Sequence, residues 1–171
     1  IDQIMLVDVD QFYGIEYDEF PARIAEVALW LMDHQMNLLI SEAFGMYYAR
    51  LPLKKSATIV YGNALRTEWT DIIPKSELSY ILGNPPFYGK QYQSKEQKED
   101  MALVFNGAKG AGVLDYVTAW YLKASNLING TDIKVGFVST NSIAQGEQTG
   151  ILWNELFNNY GIKIHFAHRT F

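Results

Sequence analysis

Short strand-like runs alternate with longer helix-like segments along this chain, and this alternation restricts its fold more than any other feature of the sequence. Most of the runs are apolar at consecutive positions, which is typical of strands buried on both faces of a parallel sheet. The strand candidates are Gln11 to Tyr17, Ala57 to Tyr61, Tyr80 to Leu82, Ile133 to Ser139 and Ile162 to Phe166. Parallel strands need crossover connections, which the helix-like segments supply. We therefore predict an α/β fold with a doubly wound, mainly parallel sheet.

Three helices are predicted between the strand candidates, over about residues 21–39, 113–129 and 151–159. Apolar side chains recur every three or four residues from Leu114 to Ile128, which is the spacing of a helix. Pro21 is tolerated because it would lie in a first helical turn. The polar stretch from Gly89 to Gly112 carries charges of both signs. We expect a mobile loop with a short helix there, either on the solvated surface or as a lid.

The composition argues against several kinds of site. The chain has no cysteine, which removes disulfides, thiolate metal ligands and a cysteine nucleophile. Its three histidines, at 34, 165 and 168, lack metal-ligand spacing, so we expect no metal site. The net charge of −5 argues against a surface that attracts nucleic acid through a broad positive field. Any binding of nucleic acid would therefore depend largely on residues outside this sequence.

The 171 residues fit a single domain. We expect one partial domain over residues 1–171 of a longer protein, because the sequence begins without Met and ends within a strand-like run. The stretch from Ile24 to Ile40 contains too many polar residues to cross a bilayer, and no secretory signal is visible. These features predict a cytoplasmic protein that does not associate with a membrane.

The segment Gly83 to Phe87 reads Gly-Asn-Pro-Pro-Phe and directly follows a strand candidate. Two consecutive prolines fix two φ angles and remove two N–H donors, so the backbone is held open with its carbonyl groups unused by a sheet. Such a turn suits a planar group that bears an NH2. Asn84 and the Pro85 carbonyl would accept its hydrogens and Phe87 would stack on its face, as for an amino-bearing nucleobase. The alternative is a turn that merely ends a strand.

An acidic cluster follows the first strand candidate. A carboxylate at the end of an early strand of a doubly wound sheet can accept both hydroxyl protons of a ribose. Glu16 and Asp18 are the candidates, and the pattern favours Glu16 because Asp18 suits the N-cap of the following helix. Tyr17 would then lie beside the base that is linked to the ribose.

The second strand candidate ends in Gly62-Asn63-Ala64. Taken alone, Gly-Asn predicts a turn. Taken with the other strand ends, Asn63 could pair with the edge of an adenine ring, and the Ala64 backbone N–H could help. Ligands of such sheets bind beyond the carboxyl ends of the strands. The three strand ends together therefore suit a nucleoside-containing cofactor next to a planar amine.

With these residues in place, the chain resembles the class I S-adenosylmethionine-dependent methyltransferases that act on amino groups, a Rossmann-like family, through its Asn-Pro-Pro-Phe motif. Longer stretches resemble the methyltransferase region of MmeI-type single-chain restriction–modification enzymes. These are Tyr13 to Glu16, Pro21 to Gln35, Lys109 to Tyr116 and Phe137 to Ile143. The four-residue motif is shared with protein-glutamine and RNA methyltransferases, whereas the long stretches are more specific.

The resemblance implies transfer of a methyl group from S-adenosyl-L-methionine to N6 of an adenine that is flipped out of double-stranded DNA. Four motif residues would hold the adenine, and four residues at the other strand ends would hold the cofactor. These are Asn84, Pro85, Pro86 and Phe87 for the adenine, and Glu16, Tyr17, Asn63 and Ala64 for the cofactor. Many relatives have Asp where this chain has Asn63. The resemblance implies neither a covalent intermediate nor a metal ion.

The resemblance also implies that the doubly wound sheet is partial. The first strand of the family, and the glycine-rich loop that contacts the methionine part of the cofactor, are missing from this sequence. The target-recognition residues and any nuclease are missing too, so double-stranded DNA would be bound mainly by other regions. Methylation of protein or RNA amino groups, and a methyltransferase-like module without catalysis, are the alternative functions. We expect the isolated fragment to be inactive, and it could self-associate.

Overall fold

The structure, a computed structural model of the chain, describes residues 6–45, 56–106, 108 and 110–168. The chain divides into two compact units, Ile1–Ile73 and Pro74–Phe171. Each unit contains one pair of parallel strands with a helix packed against it. The prediction of one partial domain over residues 1–171 stays a prediction, and residues 1–5, 46–55, 107, 109 and 169–171 of that range lie outside the described part.

The first unit is a strand–helix–strand arrangement. Its elements are β1 (Tyr13–Glu16), α1 (Glu19–Phe44) and β2 (Thr58–Tyr61). The two strands run parallel, with Tyr13 opposite Thr58 and Glu16 opposite Tyr61. α1 packs against both strands. It ends at Gly45, whose φ of 65° is a left-handed conformation that glycine adopts without strain.

The second unit places one parallel strand pair among three helices. Its elements are β3 (Tyr80–Gly83), α2 (Lys95–Phe105), α3 (Thr118–Ile128), β4 (Lys134–Phe137) and α4 (Glu147–Asn154), which continues as a π-helical turn over Glu155–Asn159. β3 and β4 pair with Gly83 opposite Phe137. The best-buried apolar side chains come from α3, from α4 with its π-helical extension, and from the segment before α3. They are Leu114, Val117, Ala119, Ala124, Leu152 and Leu156.

The α/β class is confirmed, since both described strand pairs are parallel and helices separate their strands. The described strands form two two-stranded sheets rather than one larger sheet. The predicted last strand over Ile162 to Phe166 is wrong, because residues 162–168 form no strand. A strand is stable only beside a partner, and no other described segment pairs with these residues.

Helix boundaries differ from the predicted ones in the second unit. The structure starts α3 at Thr118 rather than at residue 113, because Leu114 is extended and the Tyr116 N–H donates to the Tyr88 carbonyl at 2.9 Å. α4 begins before residue 151, at Glu147, and residues 155–159 are π-helical. In the first unit, α1 is longer than the predicted helix at both ends.

The polar stretch over residues 89–112 contains an eleven-residue helix, α2, where a mobile loop with a short helix was predicted. Its start is fixed by a capping box in which the Ser94 hydroxyl accepts from the Gln97 N–H and the Gln97 side chain accepts from the Ser94 N–H. The helix ends at Asn106 in a left-handed conformation. Residues 107 and 109 of the stretch lie outside the described part.

None of the described helices is long and apolar enough to cross a membrane. Among the described residues, no three or more His, Cys, Asp or Glu side chains are grouped so that they could hold a metal ion.

Candidate functional site

The Asn-Pro-Pro-Phe turn leaves the end of β3 and is exposed at three of its four residues. Gly83, the last residue of β3, accepts a hydrogen bond from the Val138 N–H at 3.0 Å. A Cβ at Gly83 would lie 3.1 Å from the Phe137 ring, so only glycine fits there without displacing that ring. Asn84, Pro86 and Phe87 are exposed, whereas Pro85 is buried. The parallel pairing of β3 with β4 therefore fixes where the turn begins.

The polar groups of this turn are not used within the described part of the chain. There, the Asn84 amide and the Pro85 carbonyl form no hydrogen bond with any other residue. The Phe87 side chain is 45% exposed. Two hydrogen-bond acceptors without a partner among the described residues, and one exposed aromatic ring, thus lie within four residues.

The residues that follow Phe87 are tied to the segment before α3. The Tyr88 carbonyl accepts from the Tyr116 N–H at 2.9 Å. The Lys90 N–H donates to Oδ1 of Asp115 at 3.1 Å. The Tyr116 hydroxyl donates to the buried Asp100 carboxylate at 2.6 Å. The end of the turn is therefore held as well as its beginning.

Sequence reasoning missed the role of Asp115 and Tyr116. Both lie in a stretch that carries the family resemblance, but the sequence pattern did not predict a role for either residue. Gln148 was missed as well, although its amide exchanges two hydrogen bonds with Asp115, at 3.0 and 2.8 Å. No local signal identifies these partners, because they lie 25 and 33 positions apart along the chain.

Aromatic side chains support the end of β4. Phe137 packs edge-to-face on Tyr121, with ring centroids 5.3 Å apart, and Tyr121 lies 6.1 Å from Trp153. Trp153 donates its indole N–H to the Ile143 carbonyl at 2.7 Å. Burial raises the pKa of the Tyr121 phenol, so this ring stays neutral at physiological pH. This aromatic cluster therefore stabilises β4, the strand that pairs with β3.

In the first unit, Glu16 closes β1 and is half-buried. Its carbonyl accepts from the Gly62 N–H at 2.8 Å, and Oε1 of its carboxylate accepts from the Tyr17 N–H at 2.9 Å. The other carboxylate oxygen has no hydrogen-bond partner among the described residues. Tyr17 is 56% exposed. Asp18 is the N-cap residue of α1, as its pattern favours, although its side chain makes no capping bond.

Asn63 and Ala64 form a turn after β2. Oδ1 of Asn63 accepts from the Leu65 N–H at 2.9 Å, and its carbonyl accepts from the Thr67 N–H at 2.9 Å. The Ala64 carbonyl accepts the indole N–H of Trp69 at 2.8 Å. The turn that Gly-Asn predicts is confirmed. Pairing of Asn63 with an adenine edge stays a prediction.

The structure brings the four predicted cofactor-binding residues together at one edge. Glu16 lies opposite Tyr61 in the parallel register, so Glu16 and Tyr17 leave β1 where Asn63 and Ala64 follow β2. The four residues of the Asn-Pro-Pro-Phe turn belong to the second unit, where they are consecutive beyond β3. Each unit therefore carries one of the two predicted groups of site residues.

Comparison with known proteins gives matches over almost the whole chain. A family model described as MmeI, DNA-methyltransferase domain, matches residues 2–171. DNA methyltransferase A of Bacillus subtilis (strain 168) is 45% identical over 168 residues, which cover 96% of this chain and 19% of that protein. A solved structure of the Type IIL restriction-modification enzyme MmeI in complex with DNA matches with a TM-score of 0.86 and 51% identity, over 92% of this chain and 21% of that one. The chain thus spans about a fifth of each relative.

Proposed function

Because the chain belongs to the MmeI DNA-methyltransferase domain family, we propose that it is the methyl-transfer region of a bacterial restriction–modification enzyme. The reaction is transfer of a methyl group from S-adenosyl-L-methionine to N6 of an adenine in DNA. The observation that carries this proposal is the exposed turn after β3, whose two acceptor groups have no partner among the described residues.

The Asn84 amide oxygen and the Pro85 carbonyl bind the two hydrogens of the adenine N6 amine. Two accepted hydrogen bonds on one amine draw its hydrogens away from the ring plane and free its lone pair from the ring. The lone pair would then attack the methyl carbon of the sulfonium in line, the sulfur–methyl bond would break to leave a neutral thioether, and the extra proton on N6 would pass to solvent. The backbone of the turn is held at both ends before the substrate arrives, so it needs little reorganisation at the moment of reaction.

Phe87 stacks on the adenine ring. The amino group of a paired adenine is buried in the base stack, so the base must leave the duplex before either acceptor can reach it. Stacking on an aromatic side chain replaces part of the stacking that the base gives up. The exposed ring of Phe87 is available for this contact.

The strand ends of the first unit fit a nucleoside. The oxygen of the Glu16 carboxylate that has no hydrogen-bond partner among the described residues can accept from a ribose hydroxyl, and the second oxygen can exchange its Tyr17 partner for the other hydroxyl. The exposed ring of Tyr17 can pack on the cofactor adenine. Asn63 and the Ala64 N–H lie at the same edge and would contact that adenine. S-adenosyl-L-methionine supplies a methyl group on a sulfonium, which is electrophilic without further activation.

Catalysis by these residues consists of positioning and electrostatics. The acidic net charge of −5 gives this chain no broad positive surface for the phosphate backbone. Double-stranded DNA is therefore bound mainly by other parts of the full-length protein, in the cytoplasm where its substrate lies. The solved structure of MmeI is in complex with DNA, which supports DNA as the partner.

The proposal is tested on the full-length protein that contains this chain. It is incubated with tritiated S-adenosyl-L-methionine and, separately, with unmethylated genomic DNA, total RNA and protein extract, and labelled nucleosides are identified by chromatography with mass spectrometry. We expect label in DNA as N6-methyladenine, incorporated at least about 100-fold more slowly with Asn84→Ala. Label in RNA or protein would move the function to another amino-group substrate. No label in any of the three would support a non-catalytic module.

A further inference from the structure

The chain leaves the Asn-Pro-Pro-Phe turn into a network centred on Asp115. Four polar groups of this residue are bonded. Oδ1 accepts from the Lys90 N–H at 3.1 Å and Oδ2 from Nε2 of Gln148 at 2.8 Å. The Asp115 N–H donates to Oε1 of Gln148 at 3.0 Å, and its carbonyl accepts from the Thr118 hydroxyl at 2.7 Å. One aspartate thereby joins the end of the turn, the start of α3 and α4.

Gln148 extends the network to the residues that follow β4. Its side chain is buried, and Nε2 also donates to the Ser142 carbonyl at 2.8 Å. Ser142 lies in the 3-10 turn Asn141–Ala144, just beyond the strand that pairs with β3. Every hydrogen of the Gln148 amide, and its oxygen, is therefore used, which fixes the orientation of the amide. The Asp115 carboxylate therefore accepts from the fixed Gln148 amide at Oδ2 and from the Lys90 N–H at Oδ1.

A turn with two prolines depends on its flanks for its position. Pro85 and Pro86 have no N–H to donate, and Asn84 and Phe87 form no hydrogen bond within the described part of the chain. The turn is held at its start by the pairing of Gly83 with β4, and at its end by the contacts of Tyr88 and Lys90. Tyr116 belongs to the buried core, whereas Asp115 is only half-buried. The Asp115 carboxylate is thus a polar group whose main task is to hold this end.

We propose that Asp115 is a positioning residue for methyl transfer, which holds the backbone of Lys90, and through it the Asn84–Phe87 turn, at a fixed place relative to the residues after β4, with Gln148 as its relay. This inference rests on the proposed function. The reason it affects rate is geometric, since a shift of about 1 Å in a group that orients a reacting atom can cost about 100-fold. The turn orients the amine only while its flanks hold it.

The test uses Asp115→Asn in the full-length protein. An asparagine at this position presents an NH2 to the NH2 of Gln148, and rotation of either amide moves the mismatch to another bond. We expect kcat to fall on the order of 10-fold to 100-fold, while the KM for S-adenosyl-L-methionine stays at the wild-type value. In Asp115→Asn combined with Gln148→Glu, the carboxylate and amide have changed places. This should recover about fivefold of the lost kcat, although it gives up the bond to Ser142.

Asp132→Asn is the matched control. Asp132 is an exposed residue of the same unit, and its substitution by Asn removes the same charge. A second measurement does not need activity: hydrogen exchange of a peptide over residues 84–92. The amide of Lys90 should be protected in wild type and in Asp132→Asn, and should exchange faster in Asp115→Asn.

The outcomes separate the two proposals. A full-length protein that methylates no DNA, yet shows this exchange pattern, overturns the proposed function and leaves Asp115 holding the turn. Wild-type kcat in Asp115→Asn overturns the positioning role. So does an equal loss of kcat and of cofactor affinity that Gln148→Glu does not relieve, because that result describes general destabilisation.

Discussion

The polar groups of the turn after β3 differ in their hydrogen bonding from those at the ends of β1 and β2. After β3, Asn84 and the Pro85 carbonyl are without partners in the described chain, while residues on either side hold the turn. At the ends of β1 and β2, the side chains proposed to bind the cofactor accept from nearby backbone: Glu16 from the Tyr17 N–H, and Asn63 from the Leu65 N–H. The first region can bind a ligand as it is. In the second, one Glu16 oxygen has no partner among the described residues, whereas the other Glu16 oxygen and Oδ1 of Asn63 would exchange internal bonds for bonds to a ligand.

This difference predicts how each region responds to substitution. When a buried or positioned group loses its partner, the full free energy of that interaction is lost. When a hydrogen bond to a ligand replaces an internal one, only the net difference in free energy counts, about 0.5–1.5 kcal/mol. Substitutions in the turn after β3 should therefore change the rate strongly. Substitutions at the ends of β1 and β2 should change cofactor binding by smaller amounts, and some should change stability instead.

The largest effect is expected for Asn84→Ala in the full-length protein. It removes an acceptor that is positioned for the amine in the transition state, and loss of one such group typically costs about 100-fold to 1000-fold in kcat. The KM for the cofactor should not change, because the residue belongs to the other group of site residues. Steady-state methylation kinetics measure both values.

Asn126→Ala serves as the control for this variant, since Asn126 is exposed on the surface of α3. It should retain wild-type kcat. If Asn84→Ala lowered kcat less than about tenfold, the turn after β3 would not be the preorganised acceptor that its free groups suggest.

Phe87→Ala should have the next largest effect. A base stacked on an aromatic side chain gains about 1–3 kcal/mol, so its removal should cost about 10-fold to 100-fold in kcat/KM for DNA. Phe87→Tyr keeps the ring and should restore most of the loss. The fluorescence of 2-aminopurine at the target position gives an independent measurement, because it reports how the extruded base is stacked. Equal loss in the Tyr and Ala variants would argue against stacking.

The sequence predicted the parts of this molecule that depend on local patterns. The strand-like runs located the four strands that the described residues form, and the two prolines predicted that Asn84 and the Pro85 carbonyl would stay out of the sheet. Helical spacing placed the body of α3 correctly and its start wrongly. Leu114 and Val117 continue the apolar spacing of the helix, but Tyr116 uses its N–H for a contact 28 positions away, with Tyr88. Long-range hydrogen bonds of this kind leave no local pattern, and for the same reason Gln148 was not predicted.

Glu16→Gln tests the second region, at the ends of β1 and β2. It keeps an acceptor and removes the charge, so the dissociation constant for S-adenosyl-L-methionine should rise by about tenfold, the usual difference between charged and neutral hydrogen bonds. Asp18→Asn is the matched control. Asp18 is the N-cap residue of α1 and should leave that constant unchanged. Isothermal titration of the full-length protein measures both. If Asp18→Asn raised this dissociation constant more than Glu16→Gln did, Asp18 rather than Glu16 would be the ribose-binding carboxylate.

The smallest effects are expected at Asn63, where turn and ligand compete for one side chain. Asn63→Ala removes the acceptor of the Leu65 N–H and should lower the free energy of unfolding by about 1 kcal/mol, the net contribution of one hydrogen bond. Asn63→Asp keeps an acceptor for the Leu65 N–H and should lower the free energy of unfolding less than Asn63→Ala does. It lacks the amide N–H, however, so if Asn63 reads the cofactor adenine its affinity should fall about fivefold. Thermal unfolding and cofactor titration of both variants separate the two roles. Wild-type affinity in Asn63→Asp would make Asn63 a turn residue alone, and the cofactor would then be held at this edge by Glu16, Tyr17 and the Ala64 N–H.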